Sequence, residues 1–251
     1  VAVDSVLNLF EISSQSSKSD IRLWHSRHFE HQISAIHMLK AQDKDVKIIV
    51  AQWVSNTIQI VQGRSLQTVF VTSAFPVHLR SVYLWKLPHK LSYQQDCDTK
   101  LCDHVAVVGS STGTVHIFPV PSLTSRSSNV ETMQEICKLR VGETAVNISA
   151  EETEETVHGI HLHSNYDAWL SVQSGSLEVK RINGIEKAKA VCNLHTEFMP
   201  RSLVWINDKD CLQFGKLAED RRTSTIYQKE VKLAENVVSM THSRRHHCAL
   251  V

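Results

Sequence analysis

Glycine is scarce in this 251-residue chain, at 8 residues, and no Gly-rich phosphate-binding loop occurs among them. Charge of either sign is not in excess: Lys plus Arg is 27 against Asp plus Glu 26, a net of +1. A domain that holds nucleic acid mainly through phosphates is far more basic, so the electrostatic argument for such binding is missing, although a local patch is not excluded. No apolar run approaches the roughly 18 residues that a membrane-spanning helix needs. No stretch keeps a 3.6-residue apolar period over three turns, which predicts very little helix. A helix-borne His-Glu-x-x-His is absent, as is a pair of carboxylates that can be placed in a pocket. The six cysteines (Cys97, Cys102, Cys137, Cys192, Cys211 and Cys248) have no close-spaced framework. Buried free thiols in a reducing compartment are the simplest reading of them. No secretory signal opens the chain, which starts at Val1 in a strand-like pattern and without methionine. We therefore expect a piece of something larger.

What the chain does contain is a repeat. An alternating apolar segment is followed by a second strand, a tight turn and a third strand. The clear copies are Ile33–Val61 (ISAIHML, KIIVAQW, NTIQIV) and Arg80–Phe118 (RSVYLWKL, HVAVVGS, GTVHIF), with weaker ones at Val157–Ile182 and Arg201–Leu217. Comparable strands recur at roughly 45-residue spacing, about the length of a four-stranded propeller blade. The predicted fold class is all-β, built of β-propeller blades that are four-stranded antiparallel sheets. Leu66–Val71 would close the blade that begins at Ile33, and Met133–Val141 the one that begins at Arg80. Polar composition marks Ser13–Asp20, Leu91–Asp103, Pro119–Glu131 and the acidic Glu151–Glu155 as loops. Later strands are expected at Ala168–Gln173, Ser176–Arg181, Lys189–Leu194, Ser202–Asn207, Cys211–Leu217, Thr225–Leu233, Asn236–Thr241 and His246–Val251.

Several motifs have a chemical and a plain structural reading. Gly109–Gly113 (GSSTG) matches a nucleophile elbow with Ser111 as nucleophile, but that chemistry requires a helix after the turn. Here TVHIF follows, which reads as a strand and makes GSSTG a hairpin turn. Among 15 histidines, His25, His28 and His31 would line one side only on a helix, and a turn between strands splays them. His161 and His163 share a strand face, while His158 does not. His242, His246 and His247 surround a basic tip. Cys97, Cys102 and His104, with Asp96, Asp98 and Asp103 nearby, come closest to a zinc set. Their C-x4-C-x-H spacing fits no tight pattern, and exposed loop histidines are the simpler account. Trp24, Trp53, Trp85, Trp169 and Trp205 fall about once per repeat, and packing between sheets claims about four of them. Arg221, Arg222, Arg244 and Arg245 form the two basic doublets that are candidates for contact with a phosphate or an acidic partner; a solvated hairpin tip explains them as well. The sequon at Asn147 carries no weight without secretion.

The stretches IVAQWVSNTIQIV, LRSVYLWKL and HVAVVGSSTGTVHIF resemble a family of large propeller proteins. That family includes the damaged-DNA-binding protein large subunit, the cleavage-and-polyadenylation specificity factor large subunit and the third subunit of splicing factor 3b. Its blades carry a strand, a turn bearing Asn, Asp or Gly, and a second strand, which Asn56–Ile60 and Gly113–Ile117 match. MPRSLVWINDKDCLQFGKL and IYQKEVKLAENVVSMTHSRRHHCALV are similar to the family's passage from its second propeller to its third. The resemblance covers most of the chain from about Ile33. The segments Leu91–Asp103 and Glu151–Glu155 depart from it, and it carries no functional residue onto a named position. It implies residues 1–207 as closing blades of one propeller and residues 208–251 as the first strands of the next.

The resulting expectation is a non-enzymatic scaffold in the nucleus with no cofactor, no metal, no membrane and no small-molecule substrate. It would bind protein partners within a larger assembly for mRNA processing, splicing or DNA repair, or as a ubiquitin ligase adaptor. The alternative is direct RNA or DNA binding through the arginine doublets. A hydrolase centred on Ser111 comes third.

Overall fold

A computed structural model describes residues 1–15, 18–39, 46–63, 65–95, 98–120, 131–152, 157–164, 166–173, 176–186, 188–193, 202–217, 224–233, 241–243 and 248–250. These residues contain no helix, and their strands form small sheets that follow one another along the chain. The first sheet has β1 (Ala2–Val3), β2 (Val6–Gln15) and β3 (Lys18–His28). The second has β4 (Ile33–Leu39), β5 (Lys47–Gln52), β6 (Ile58–Gln62) and β7 (Gln67–Val71). The third takes β8 (Leu79–Gln95), β9 (Asp98–Ser110) and β10 (Thr114–Val120). The chain then contributes β11 (Glu131–Thr132) to the second sheet and returns with β12 (Cys137–Arg140) to close the third. The fourth sheet is β13 (Asn147–Glu152), β14 (Val157–His163), β15 (Tyr166–Gln173) and β16 (Ser176–Glu186). The fifth is β17 (Ala190–Asn193), β18 (Ser202–Ile206), β19 (Cys211–Leu217) and β20 (Ser224–Lys232), and β21 (Thr241–Ser243) pairs with β22 (Cys248–Leu250). Sheets three to five, and strands β4–β7 of sheet two, are four-stranded antiparallel meanders, the form of a propeller blade, as the repeat predicts; β11 adds a parallel fifth strand to sheet two.

The sheets stack through their faces. Leu7, Leu9 and Phe29 of the first meet Ile48, Val50, Val61 and Leu66 of the second. Alternate residues of the same second-sheet strands, Ile49, Ala51, Ile58 and Ile60, meet Leu84, Ala106, Val108 and Phe118 of the third. The opposite parity of the third sheet, Trp85, Val105, Val107 and Ile117, meets Ile160 and Leu162 of the fourth. Period-two alternation thus sends neighbouring residues into different cores, and runs such as HVAVV are apolar throughout because both faces are covered. Each such Val, Leu, Ile or Phe side chain contributes about 1.5–3 kcal/mol relative to exposure. The first strands β4, β8, β13 and β17 are successive neighbours across the series, so the sheets converge along one edge. His37 on β4 reinforces this edge: its Nδ1 accepts from the Leu84 N–H (3.1 Å), and its ring lies against Tyr83.

One turn recurs. Asp4, Asn56, Gly113 and Asp210 have φ of 54°, 48°, 83° and 59°, and they stand in the turns β1–β2, β5–β6, β9–β10 and β18–β19. Left-handed backbone is tolerated best by glycine, asparagine and aspartate. At Gly113 a Cβ would also overlap the Gly142 carbonyl. By this register the first sheet corresponds to the last three strands of the others.

Several expected loops are strands. Leu91–Asp103 extends the β8–β9 hairpin as a paired arm, with Leu91 opposite Cys102 and Tyr93 opposite Lys100. Ser13–Asp20 likewise continues the β2–β3 hairpin, with Ser13 opposite Asp20. Backbone pairing needs no apolar side chains, so polar composition hid both. Met133–Val141 is not one closing strand: Glu131 and Thr132 run parallel to β7, the Met133 N–H donates to the Val71 carbonyl (3.0 Å), and only Cys137–Arg140 closes the third sheet. Glu151 and Glu152, expected in the acidic loop, are the last two residues of β13. The boundary expected after Asn207 falls in the turn between β18 and β19, which pair from Ser202–Lys216 to Ile206–Leu212, so residues on both sides share one sheet. Expected strand Asn236–Thr241 lies outside the described residues except for Thr241, which opens β21.

Candidate interaction surface

With both faces of the inner sheets buried, the free surface is made of turns, connections and edges. At the junction of the second and third sheets, turn β5–β6 is held by its own polar side chains. The Gln52 Oε1 accepts from Thr57 Oγ1 (3.2 Å) and Gln59 Nε2 (2.9 Å), and Ser55 bonds Thr57 (2.9 Å). Thr72 Oγ1 accepts from the Ile58 N–H (3.0 Å), and the Phe75 N–H donates to the Asn56 carbonyl (2.9 Å). This fixes the turn against the connection that leads into β8.

On that platform Trp53 is half-buried at the end of β5, and the exposed His78 stacks on it, with ring centroids 4.9 Å apart and planes 2° from parallel. His78 Nδ1 bonds Asn56 Oδ1 (3.1 Å), and the Ser111 N–H donates to the His78 carbonyl (2.8 Å). The exposed Arg80 places its guanidinium carbon 5.3 Å from the Trp53 ring centroid, a cation–π contact. Val54, 66% exposed, stands beside the cluster in sequence. The sequence reading placed most tryptophans in the core. That holds for Trp85 and Trp205, both fully buried, and partly for Trp24, whereas the Trp169 side chain lies outside the described residues. Trp53 is the departure. The available signal was its position directly after the apolar run IIVAQ and before the turn at Asn56; nothing in the sequence linked it to His78 and Arg80, 25 and 27 positions on.

The other candidates resolve differently. Ser111 lies in the hairpin turn between β9 and β10, and β10 follows it where an elbow needs a helix. Cys97 lies outside the described residues; Cys102 is buried in the core between the third and fourth sheets, and His104 Nδ1 bonds Asp103 (2.7 Å). Among the described residues no three metal-ligating groups converge. His25 and His28 sit on β3, opposite Leu9 and Val6, and not in a turn. Arg221, Arg222, Arg244 and Arg245 lie outside the described residues, as do His246 and His247.

Burial tunes the titratable groups toward their neutral forms. It pushes the Cys192 thiol to about 11 and, with help from the Asp103 charge, the Cys102 thiol to about 11. Burial lowers His163 to about 4 against a backbone hydrogen bond to Ala188, and lowers His104 against its Asp103 partner. His116 is bonded to Glu135 (3.1 Å) and meets the edge of Phe75. Thiols so far above neutrality are poor nucleophiles, which fits packing groups better than reacting ones.

In comparisons with known proteins, the chain matches no family model and no curated protein sequence. Among the described residues no helix is long and apolar enough to cross a membrane.

Proposed function

We propose that this chain is a run of propeller blades from a multi-propeller protein, acting as a non-enzymatic scaffold that binds protein partners in a nuclear assembly. The resemblance described above favours an assembly for mRNA processing or splicing, or for DNA repair with a ubiquitin ligase. One observation carries the reading: the inner sheets pack face to face against neighbours, while a pre-organised aromatic and cationic cluster, Trp53–His78–Arg80, sits where two of them meet, with His78 and Arg80 exposed. Rigid aromatic and arginine side chains of this kind are the residue types that dominate binding hot spots.

Affinity purification of the full chain from nuclear extract, followed by size-exclusion chromatography, tests this. A stoichiometric protein partner is the expected result. Absence of any stable protein partner overturns the proposal. Binding to a single-stranded oligonucleotide that weakens steeply with salt, and that Arg221→Ala and Arg244→Ala reduce, would replace it with direct nucleic-acid binding.

A further inference from the structure

The exposed cluster has a chemistry of its own. Arg80 offers five N–H donors and a full positive charge, and the Trp53 indole N–H is a further donor. Among the described residues no carboxylate forms an ion pair with Arg80. Its side chain is held by the ring contact with Trp53, so the guanidinium is oriented before any ligand arrives. The Trp53 ring is braced in turn by the stacked His78, which Asn56 and the backbone of Ser111 hold in place. Next to Trp53 in sequence is an exposed apolar residue, Val54.

Donors without acceptors call for a ligand rich in acceptors. An arginine and an adjoining apolar surface suit a carboxylate and an aliphatic group presented a few residues apart. A nucleic-acid backbone is a poorer match, because it needs a track of cations and this cluster has one permanent charge on a chain of net +1. We propose that Trp53, His78 and Arg80 form a docking point for an acidic peptide segment of a protein partner. A carboxylate pairs with the Arg80 guanidinium, and an aliphatic side chain of the same segment packs against the part of Trp53 that His78 and Arg80 leave uncovered. This rests on the scaffold reading and names the partner chemistry within it.

Fluorescence anisotropy of a labelled peptide alternating glutamate and leucine, titrated with the full chain, tests the assignment. Replacing glutamate by glutamine should weaken binding about tenfold or more, and Arg80→Gln and Trp53→Ala should each do the same. Arg80→Lys should recover part of the loss, since it keeps the charge and loses the planar fork. If Trp53→Ala disturbs the turn, the exposed Arg80→Gln still decides. Equal affinity for the two peptides, or no effect of Arg80→Gln, overturns the proposal. So does a single-stranded oligonucleotide that binds more tightly than the acidic peptide and is equally sensitive to Arg80→Gln. The scaffold reading is tested apart from this. A protein partner that stays bound to the Arg80→Gln chain removes the docking point and leaves the scaffold standing.

Discussion

Two hairpins of the same plan meet different surroundings. In the third sheet, residues 104–110 of β9 and all of β10, residues 114–120, are buried without exception. Even residues enter one core and odd residues the other, with Ala106 and Val108 toward the second sheet and Val105 and Val107 toward the fourth. In the first sheet, Leu7 and Leu9 are buried against the second sheet, but Phe10, Leu23 and Ile21 on the opposite face are 43%, 52% and 65% exposed. The two hairpins also differ in sequence: HVAVV has no polar break after His104, while VLNLFE and DIRLW interleave Asn8, Glu11, Asp20 and Arg22. Chain composition therefore reports how many neighbours a sheet has, because each face must satisfy its own surroundings. The first sheet is tied to the second by more than apolar contact. Arg27 donates to the Leu66 carbonyl and to Thr68 Oγ1 (2.7 Å) on the second sheet, and its guanidinium lies 4.6 Å from the Phe29 ring centroid.

The largest effect expected from this contrast is at tryptophan. Trp85→Ala, in the core shared by the third and fourth sheets, should cost about 4 kcal/mol in denaturant unfolding. Trp53→Ala, at the exposed cluster, should cost less than about 1 kcal/mol. Equal losses would mean that the cluster is core after all.

Acid provides the second test. His163 is buried at the fourth sheet with its pKa lowered from 6.5 to about 4. Between those values the unfolded chain binds the proton and the folded chain does not. Stability is therefore full above about pH 6.5, falls as pH drops toward 4, and levels off below. The loss is on the order of 3 kcal/mol from this group. His104, also lowered, adds in the same direction. Denaturant midpoints measured across that range should show the fall, and His163→Asn should flatten it; a wild-type midpoint that is level with pH would refute the burial argument.

A gentler pair compares the two faces directly. Ile117→Val should cost about 1 kcal/mol, whereas Ile21→Val should stay within about 0.5 kcal/mol. Thermal melts of the two variants side by side would resolve the difference. The left-handed turn offers a comparison within one position. Asn56→Gly should shift stability by a few tenths of a kcal/mol, and Asn56→Ala should lower it by about 1 kcal/mol through strain at φ 48°. A neutral alanine would show that the turn relaxes.

Much of the sheet order was legible because apolar runs and turn residues coincide. KIIVAQ and IQIVQ flank Asn56, HVAVVGS and TVHIFPV flank Gly113, and each pair is a hairpin. What escaped was structure held by backbone alone. LSYQQDCDTKLCD has too little apolar alternation to look like strand, yet its arm is paired from Leu91–Cys102 to Gln95–Asp98. The acidic stretch from Glu151 reads as solvated loop, yet Glu151 and Glu152 complete the first strand of the fourth sheet. The exposed cluster was legible only in its parts. Its three side chains meet because Trp53 follows the second strand of one sheet while His78 and Arg80 stand at the start of the next, a proximity set by stacking and not by spacing. The arginine doublets at 221–222 and 244–245 remain a proposal on sequence grounds.

The excursion of β11 bears on how the chain assembles. In the folded chain the strand that closes the third sheet is reached only by way of the excursion to β7 and back. During synthesis β7 emerges some sixty residues ahead of β11, so the edge that β11 needs is already formed when residues 131–132 arrive. For this step an N-to-C order of assembly is the direct route, with the second sheet serving as the template on which the third is finished. A circular permutant that supplied β11 before β7 would have to close this step backwards, and should fold more slowly than the natural order does.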